Sequence, residues 1–282
     1  AGLRQSEAVF AHIRILPRLW VEGAVHLKQA PLAAVAAAVK PRPREGSYMP
    51  VFRVSRAAGE LVAATLGIPF LSFSHQEGHI AAGLWSAGLS PDRYLAVHLS
   101  GGTTEILEIW DKGRARLEIS LRGGGADLHA GQFVDRVGLD LGLDFPAGPA
   151  LEEYARRGRT GAIRLPVAVK GTEISFSGPA SHARRLLKKG CDRCDLARAV
   201  ELCIADSLAA ALHAVEKIGS FAGILIVGGV AANTFIRERL VQQGPGPPIH
   251  FAAPSFAGDN AVGLAVLAVR SEQTLKISRN MN

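Results

Sequence analysis

The chain has 282 residues, 48% of them hydrophobic and 20% charged, and carries a formal charge of +7 with a pI near 9.7. That length accommodates two domains with separate cores, and no run of about 18 uncharged apolar residues occurs, which excludes a conventional membrane helix. Three cysteines do not make a disulfide framework, so a reducing cytoplasm is expected, and the positive charge favours an acidic or nucleic-acid partner.

Residues 3–16 show a helical pattern with Val9, Ile13 and Leu16 on one side, and Pro17 is expected to end it. Residues 31–39 read as a short strand, although so much alanine also permits helix. A Pro/Arg loop at 41–47 breaks regularity, and residues 53–66 form a second helix. Residues 66–73 look like a buried strand opening into a helix that carries His75 and His79. After Gly88-Leu89-Ser90-Pro91 the texture changes, and a domain boundary is expected near Asp92. Strand 94–99, the turn Ser100-Gly101-Gly102-Thr103-Thr104 and strand 105–110 make a hairpin, and Asp111-Lys112-Gly113 turns the chain into strand 116–121. Glycines at 123–125 and 131 lead to a helix bearing Asp135, and 143–149 is a turn-rich connector. The longest helix, 196–218, places Val200, Ile204, Leu208, Leu212 and Val215 in a core stripe. Buried strand 223–227 runs through Gly228-Gly229-Val230-Ala231-Ala232-Asn233 into helix 234–240. Strand 249–252, loop 253–258 and helix 259–269 complete an alternation that argues for an α/β fold.

Two histidines four apart at the start of a helix lie on one face, one turn apart, where they can share a metal ion. The same spacing also arises between ordinary core or surface histidines. Glu77 stands between them, and His75-Gln76-Glu77-Gly78-His79 fits neither H-E-x-x-H nor H-x-x-E-H, which disfavours a metalloprotease. Asp259 is expected to begin the last helix, where it could serve as an N-cap; added to the histidines, it completes an N/N/O set with positions open for substrate. Such a set suits iron and zinc equally. The glycine turns at 100–104 and 228–230, with Asp135 between them, suggest a nucleotide site that is neither a P-loop nor a dinucleotide fold. Cys191-Asp192-Arg193-Cys194 lacks a second pair for a zinc ribbon and reads as chance spacing. Three basic clumps, around residues 40–44, 156–159 and 184–189, are consistent with a polyanion.

In order, H-x-E-G-H, S-G-G-x-T, the helical aspartate, L-D-x-P-x-G-P, S-F-S-G, G-G-V-x-A-N and the final D-N resemble the TsaD/Gcp family, the threonylcarbamoyl-transferases of tRNA modification once labelled O-sialoglycoprotein endopeptidases. The resemblance implies two actin-like (RNase H-like) α/β lobes with a nucleotide cleft. The first lobe would be residues 1–91 with 259–282 returning to it, and the second 92–258. It implies His75, His79 and Asp259 as ligands of one divalent metal ion, iron or zinc. His98, Leu99, Ser100, Gly101, Gly102, Asp135, Gly148 and Asn233 match the positions that hold the bound nucleotide, ATP or an acyl-adenylate. The implied reaction is metal-dependent transfer of a threonylcarbamoyl group from threonylcarbamoyl-adenylate to N6 of adenosine 37 in tRNA, with TsaB-like and TsaE-like partner proteins.

The family's opening strands are expected before Ala1, so the first lobe is expected to be incomplete. Thr103 replaces the histidine of S-G-G-H-T, Gly131-Gln132-Phe133-Val134-Asp135 replaces G-E-A-F-D, Pro179-Ala180 replaces Leu-Lys, and Glu45-Gly46-Ser47-Tyr48-Met49-Pro50 stands in place of a G-P-G turn. These differences suggest a divergent paralogue. A related carbamoyl-transferase or ATPase with a small-molecule acceptor, and a non-catalytic nucleotide-binding scaffold subunit, are the alternatives.

Overall fold

The computed structural model describes residues 4–27, 31–112, 116–217, 219–244 and 246–280. Leu3, Gly113 and Ile218, which fall in the elements expected from the sequence, lie outside them. The chain divides into two compact units, one made of Ala1–Trp85, Gly113–Leu117 and Asn260–Asn282, the other of Ser86–Lys112 and Glu118–Asp259.

The first unit contains α1 (Gln5–Leu27), β1 (Val35–Lys40), α2 (Val51–Leu66), β2 (Phe70–Ser74), α3 (His75–Ser86, whose last residue falls in the second unit) and, after the second unit, the closing helix Val262–Asn280. Strands β1 and β2 pair in parallel, from Val35 opposite Phe70 to Ala38 opposite Phe73. The alanine-rich stretch is thus a strand, held by its parallel ladder with β2. Gly59 of α2 faces this pair: a Cβ there would lie 2.6 Å from the Phe70 ring. Helix α2 ends at Gly67, whose φ of 66° lets its N–H reach back to the carbonyls of Ala63 and Ala64.

Helix α1 does not stop at Pro17 but continues to Leu27. Proline removes one backbone hydrogen bond. The next turn is helped by the Arg18–Glu22 ion pair at 3.1 Å, an i,i+4 contact worth a few tenths of a kcal/mol.

The second unit is built on a seven-stranded sheet, with β3 (Arg93–Ser100), β4 (Thr103–Trp110), β5 (Glu118–Gly125), β6 (Val169–Lys170), β7 (Glu173–Ile174), β8 (Ile224–Val227) and β9 (Ile249–Phe251). Its order is β6-β7-β5-β4-β3-β8-β9. Strands β3, β4 and β5 form an antiparallel meander, while β8 runs parallel to β3 and β9 parallel to β8. The helices of this unit are α4 (Ala130–Asp140), α5 (Gly148–Arg156), α6 (Ser177–Lys188), α7 (Arg193–Glu216), α8 (Thr234–Gln243) and the short α9 (Pro254–Ala257); the closing helix Val262–Asn280 is α10.

Val200, Ile204, Leu208, Leu212 and Val215 of α7 are completely buried in one core with Leu95, Val97, Ile224 and Ile226 of the sheet. Burial of each such side chain contributes about 1.5–3 kcal/mol. Asp127 ties the start of α4 to the start of α6. Its carboxylate accepts from the hydroxyls of Ser175 and Ser177 and from the backbone N–H of Leu128 and Phe176. Desolvation pushes its pKa up, but these four bonds outweigh it and hold the group well below the usual carboxylate range. The Ser175-Phe176-Ser177-Gly178 motif therefore has a structural task.

Candidate functional site

Strand β2 runs directly into α3, and Ser74 and Glu77 make the joint. The Glu77 carboxylate accepts from the Ser74 N–H and hydroxyl, both at 2.7 Å, and the Ser74 hydroxyl accepts from the Glu77 N–H at 3.2 Å. This is a capping box, S-x-x-E, and it satisfies donors that the first helical turn would leave orphaned. Glu77 is 2% exposed and bound up in this role, which accounts for its place between the histidines without any proteolytic chemistry.

With that turn fixed, His75 and His79 stand one above the other. Their Nε2 atoms are 3.1 Å apart and the rings meet edge to face, with centroids 4.5 Å apart. Phe52 of α2 packs against the His75 ring at 5.5 Å. Two nitrogens bound to one tetrahedral metal at about 2.1 Å would be roughly 3.4 Å apart, so the pair needs only a small adjustment to chelate.

Asp259 is bonded to Asn260, where the closing segment of the first unit begins. Its carboxylate and the two histidine nitrogens all lie within 4.8 Å of one another. Helix α10 starts at Val262, not at Asp259, because the side-chain oxygen of Asn260 takes up the N–H groups of Val262 and Gly263. The cap that the sequence suggests for Asp259 thus belongs to its neighbour. Gly263 lets α10 approach α3 closely, since a Cβ there would fall 1.8 Å from the Gly78 carbonyl oxygen. The donor set of two imidazoles and one carboxylate fits a divalent transition metal.

A cavity of about 380 Å³ lies within the second unit. Of the eight residues matched to nucleotide positions, Gly101, Asp135, Gly148 and Asn233 line it. His98 and Leu99 are buried in β3, and Ser100 and Gly102 are not among the lining residues. The turn at Gly101 and Gly102 closes the β3–β4 hairpin, so no helix follows it in sequence. Helix α4 instead brings its amino end to the turn: a Cβ on Gly131 would lie 2.6 Å from the Gly101 Cα. The second glycine turn also needs its glycine. Gly228 has a φ of 102°, and a Cβ would meet the Leu99 carbonyl oxygen at 2.1 Å.

Two carboxylates that the sequence does not single out complete the cavity. Glu152 of α5 accepts from the N–H of Thr234 at 3.1 Å, and Glu201 of α7 is 1% exposed. Burial pushes Glu201 up to about 7, against the opposing hydrogen bond from Asn233 and the charge of Arg198. A sequence signal existed, because Glu201 falls on the same helical face as Ile204 and Leu208, where a charge has to be explained.

The profile of the TsaD family, tRNA N6-adenosine threonylcarbamoyltransferase, matches residues 10–266. The chain is 34% identical over 262 residues to the tRNA N6-adenosine threonylcarbamoyltransferases of two strains of Thermus thermophilus, covering 88% of this chain and 78% of each relative. Among solved structures, HypF of T. kodakarensis superposes with a TM-score of 0.66 at 16% identity, over 92% of this chain and 44% of that one. Full-length HypF in its phosphate- and nucleotide-bound form gives 0.60 at 13% identity, over 74% and 44%. These two likenesses support the actin-like fold. Among the described residues no helix is long and apolar enough to cross a membrane. The chain belongs to the TsaD family and is an acyltransferase of the N6-threonylcarbamoyladenine synthase kind, acting in tRNA modification.

Proposed function

We propose that this chain transfers the threonylcarbamoyl group of threonylcarbamoyl-adenylate to N6 of adenosine 37 in tRNA, and that it does so with a divalent metal, iron or zinc, held by His75, His79 and Asp259. The observation that carries the metal dependence is the convergence of three ligand atoms within 4.8 Å. When bound, such a cation supplies Lewis acidity toward a carbonyl oxygen.

The rest of the chemistry falls to the chain. The exocyclic amine is a weak nucleophile, so the donor must be an activated acyl group with a good leaving group. The N6 lone pair forms the new C–N bond, the bond from the carbonyl carbon to the phosphate oxygen breaks, and AMP departs with the electron pair while N6 loses a proton to solvent. Asp135 and Glu152 offer acceptors suited to ribose hydroxyls. The Gly131 N–H at the amino end of α4, beside Gly101, is suited to the phosphate, while the Ala130 N–H is taken by the Thr104 hydroxyl and that of Gln132 by the His129 side chain. The same reading takes residues 1–91 with 259–282 as the first lobe and 92–258 as the second. It places the reaction in the cytoplasm with TsaB-like and TsaE-like partners. The outward apolar side chains of α1, including Phe10, Trp20, Val21 and Val25, are of the kind a protein partner covers.

The test supplies unmodified tRNA, threonylcarbamoyl-adenylate and the partner proteins to the purified chain, followed by mass spectrometry of the nucleosides. Threonylcarbamoyl-adenosine in the tRNA is expected. Release of AMP with unmodified tRNA would favour a small-molecule acceptor instead.

A further inference from the structure

Asn233 is held from both ends. Its side-chain oxygen accepts from the Ile236 N–H at 2.9 Å as the N-cap of α8, and its Nδ2 donates to Glu201 Oε1 at 2.6 Å. Glu201 is itself pinned, because Arg198 Nη1 donates to its other oxygen at 2.6 Å and the Arg198 guanidinium lies over the Phe235 ring at 4.0 Å. An amide flip would turn Nδ2 against a backbone N–H and the amide oxygen against a carboxylate oxygen, so both neighbours oppose it.

The locked amide still has one free lone pair on Oδ1 and one free hydrogen on Nδ2, and Asn233 lines the cavity. An acceptor beside a donor, in fixed order, complements the N6 amine and N7 of adenine. Guanine presents two acceptors, O6 and N7, along the same edge, so the amide oxygen meets an acceptor in either orientation, whereas adenine keeps both bonds only with the amide held as it stands.

We propose that Glu201 is a positioning residue for base specificity: by fixing the Asn233 amide, it makes the cavity select adenine over guanine nucleotides. This rests on the reading of the cavity as the adenylate site. Glu201 touches no reacting atom in this scheme.

The experiment titrates AMP, GMP and 7-deaza-AMP into the wild-type chain and into Glu201→Gln and Glu201→Asp. Glutamine can donate as well as accept, which removes one of the two oppositions to a flip and leaves that of the Ile236 N–H, while aspartate is too short to reach Nδ2. Thermal unfolding identifies variants that remain folded, and the near-isosteric glutamine keeps the test available if aspartate does not fold. Wild type is expected to favour AMP over GMP by at least about tenfold and to lose about tenfold with 7-deaza-AMP, which lacks the N7 acceptor. In the folded variants the AMP-to-GMP ratio should fall at least about fivefold, a change that general loosening of the cavity would not produce. A variant ratio equal to wild type, or 7-deaza-AMP binding as tightly as AMP, overturns the role of Glu201 while leaving the adenylate site standing. Wild type binding neither AMP nor GMP removes both.

Discussion

Replacing His75 and His79 together with alanine is expected to strip the chain of bound metal and to slow threonylcarbamoyl transfer by at least about a thousandfold, the equivalent of roughly 4 kcal/mol of barrier. In the proposed site each ring would contribute its Nε2, which stands 3.1 Å from its partner's, so the loss of either would leave one imidazole and one carboxylate. His75 also packs against Phe52, and some loss of stability will accompany the double change. His79→Gln, which keeps most of the buried volume, separates the two effects. It should unfold near the wild-type temperature yet retain little metal by elemental analysis. Full metal content in a folded double variant would show that these rings are not the ligands.

The second large effect is expected at Gly131→Ala. The added methyl carbon would stand 2.6 Å from the Gly101 Cα and 2.7 Å from the Ser100 carbonyl oxygen. Both are backbone atoms, and neither can step aside as a side-chain tip can. Overpacking of this kind costs about 1–3 kcal/mol, and relief requires α4 to move off the glycine turn. The amino end of α4 would then no longer face the turn, and AMP affinity should fall at least about tenfold in calorimetric titration. Gly148 is the matched control: it lines the same cavity, but a Cβ there meets nothing within 4 Å, so Gly148→Ala should leave stability unchanged. Equal AMP affinity in Gly131→Ala and wild type would separate the α4 end from the nucleotide.

Much of this is legible in the sequence because the signals are local. A strand opening into a helix places the two histidines, and that junction is β2–α3, although the strand starts at Phe70 and only Phe73 and Ser74 of it are buried. The hairpin around Gly101 and Gly102 follows from two apolar runs with a glycine turn between them, and the stripe of α7 follows from its spacing.

The misreadings have equally definite causes. Pro17 does not end α1, since a proline removes one bond and the following turn can still form. Asp259 reads as the first residue of a helix that Asn260 in fact caps. Helix α5 hides behind a turn-rich connector, although Gly148-Pro149 places a proline where a helix favours it, in the first turn.

Glu77, Glu152 and Glu201 show the limit most clearly. Glu77 is recognisable from its S-x-x-E spacing alone. Glu201 stands out as a charge on the buried face of α7, but its partner, like that of Glu152, appears only when α5, α7 and α8 come together, with Glu152 accepting from Thr234 and Glu201 from Asn233. Contacts across 82 and 32 residues of chain leave no periodic trace in the sequence.

The most direct test is anomalous diffraction from crystals of the purified protein, recorded on both sides of the iron and zinc absorption edges. The account predicts one strong peak about 2.0–2.2 Å from Nε2 of His75, Nε2 of His79 and a carboxylate oxygen of Asp259. A peak elsewhere, or coordination of metal-loaded active protein without these two rings, would contradict it.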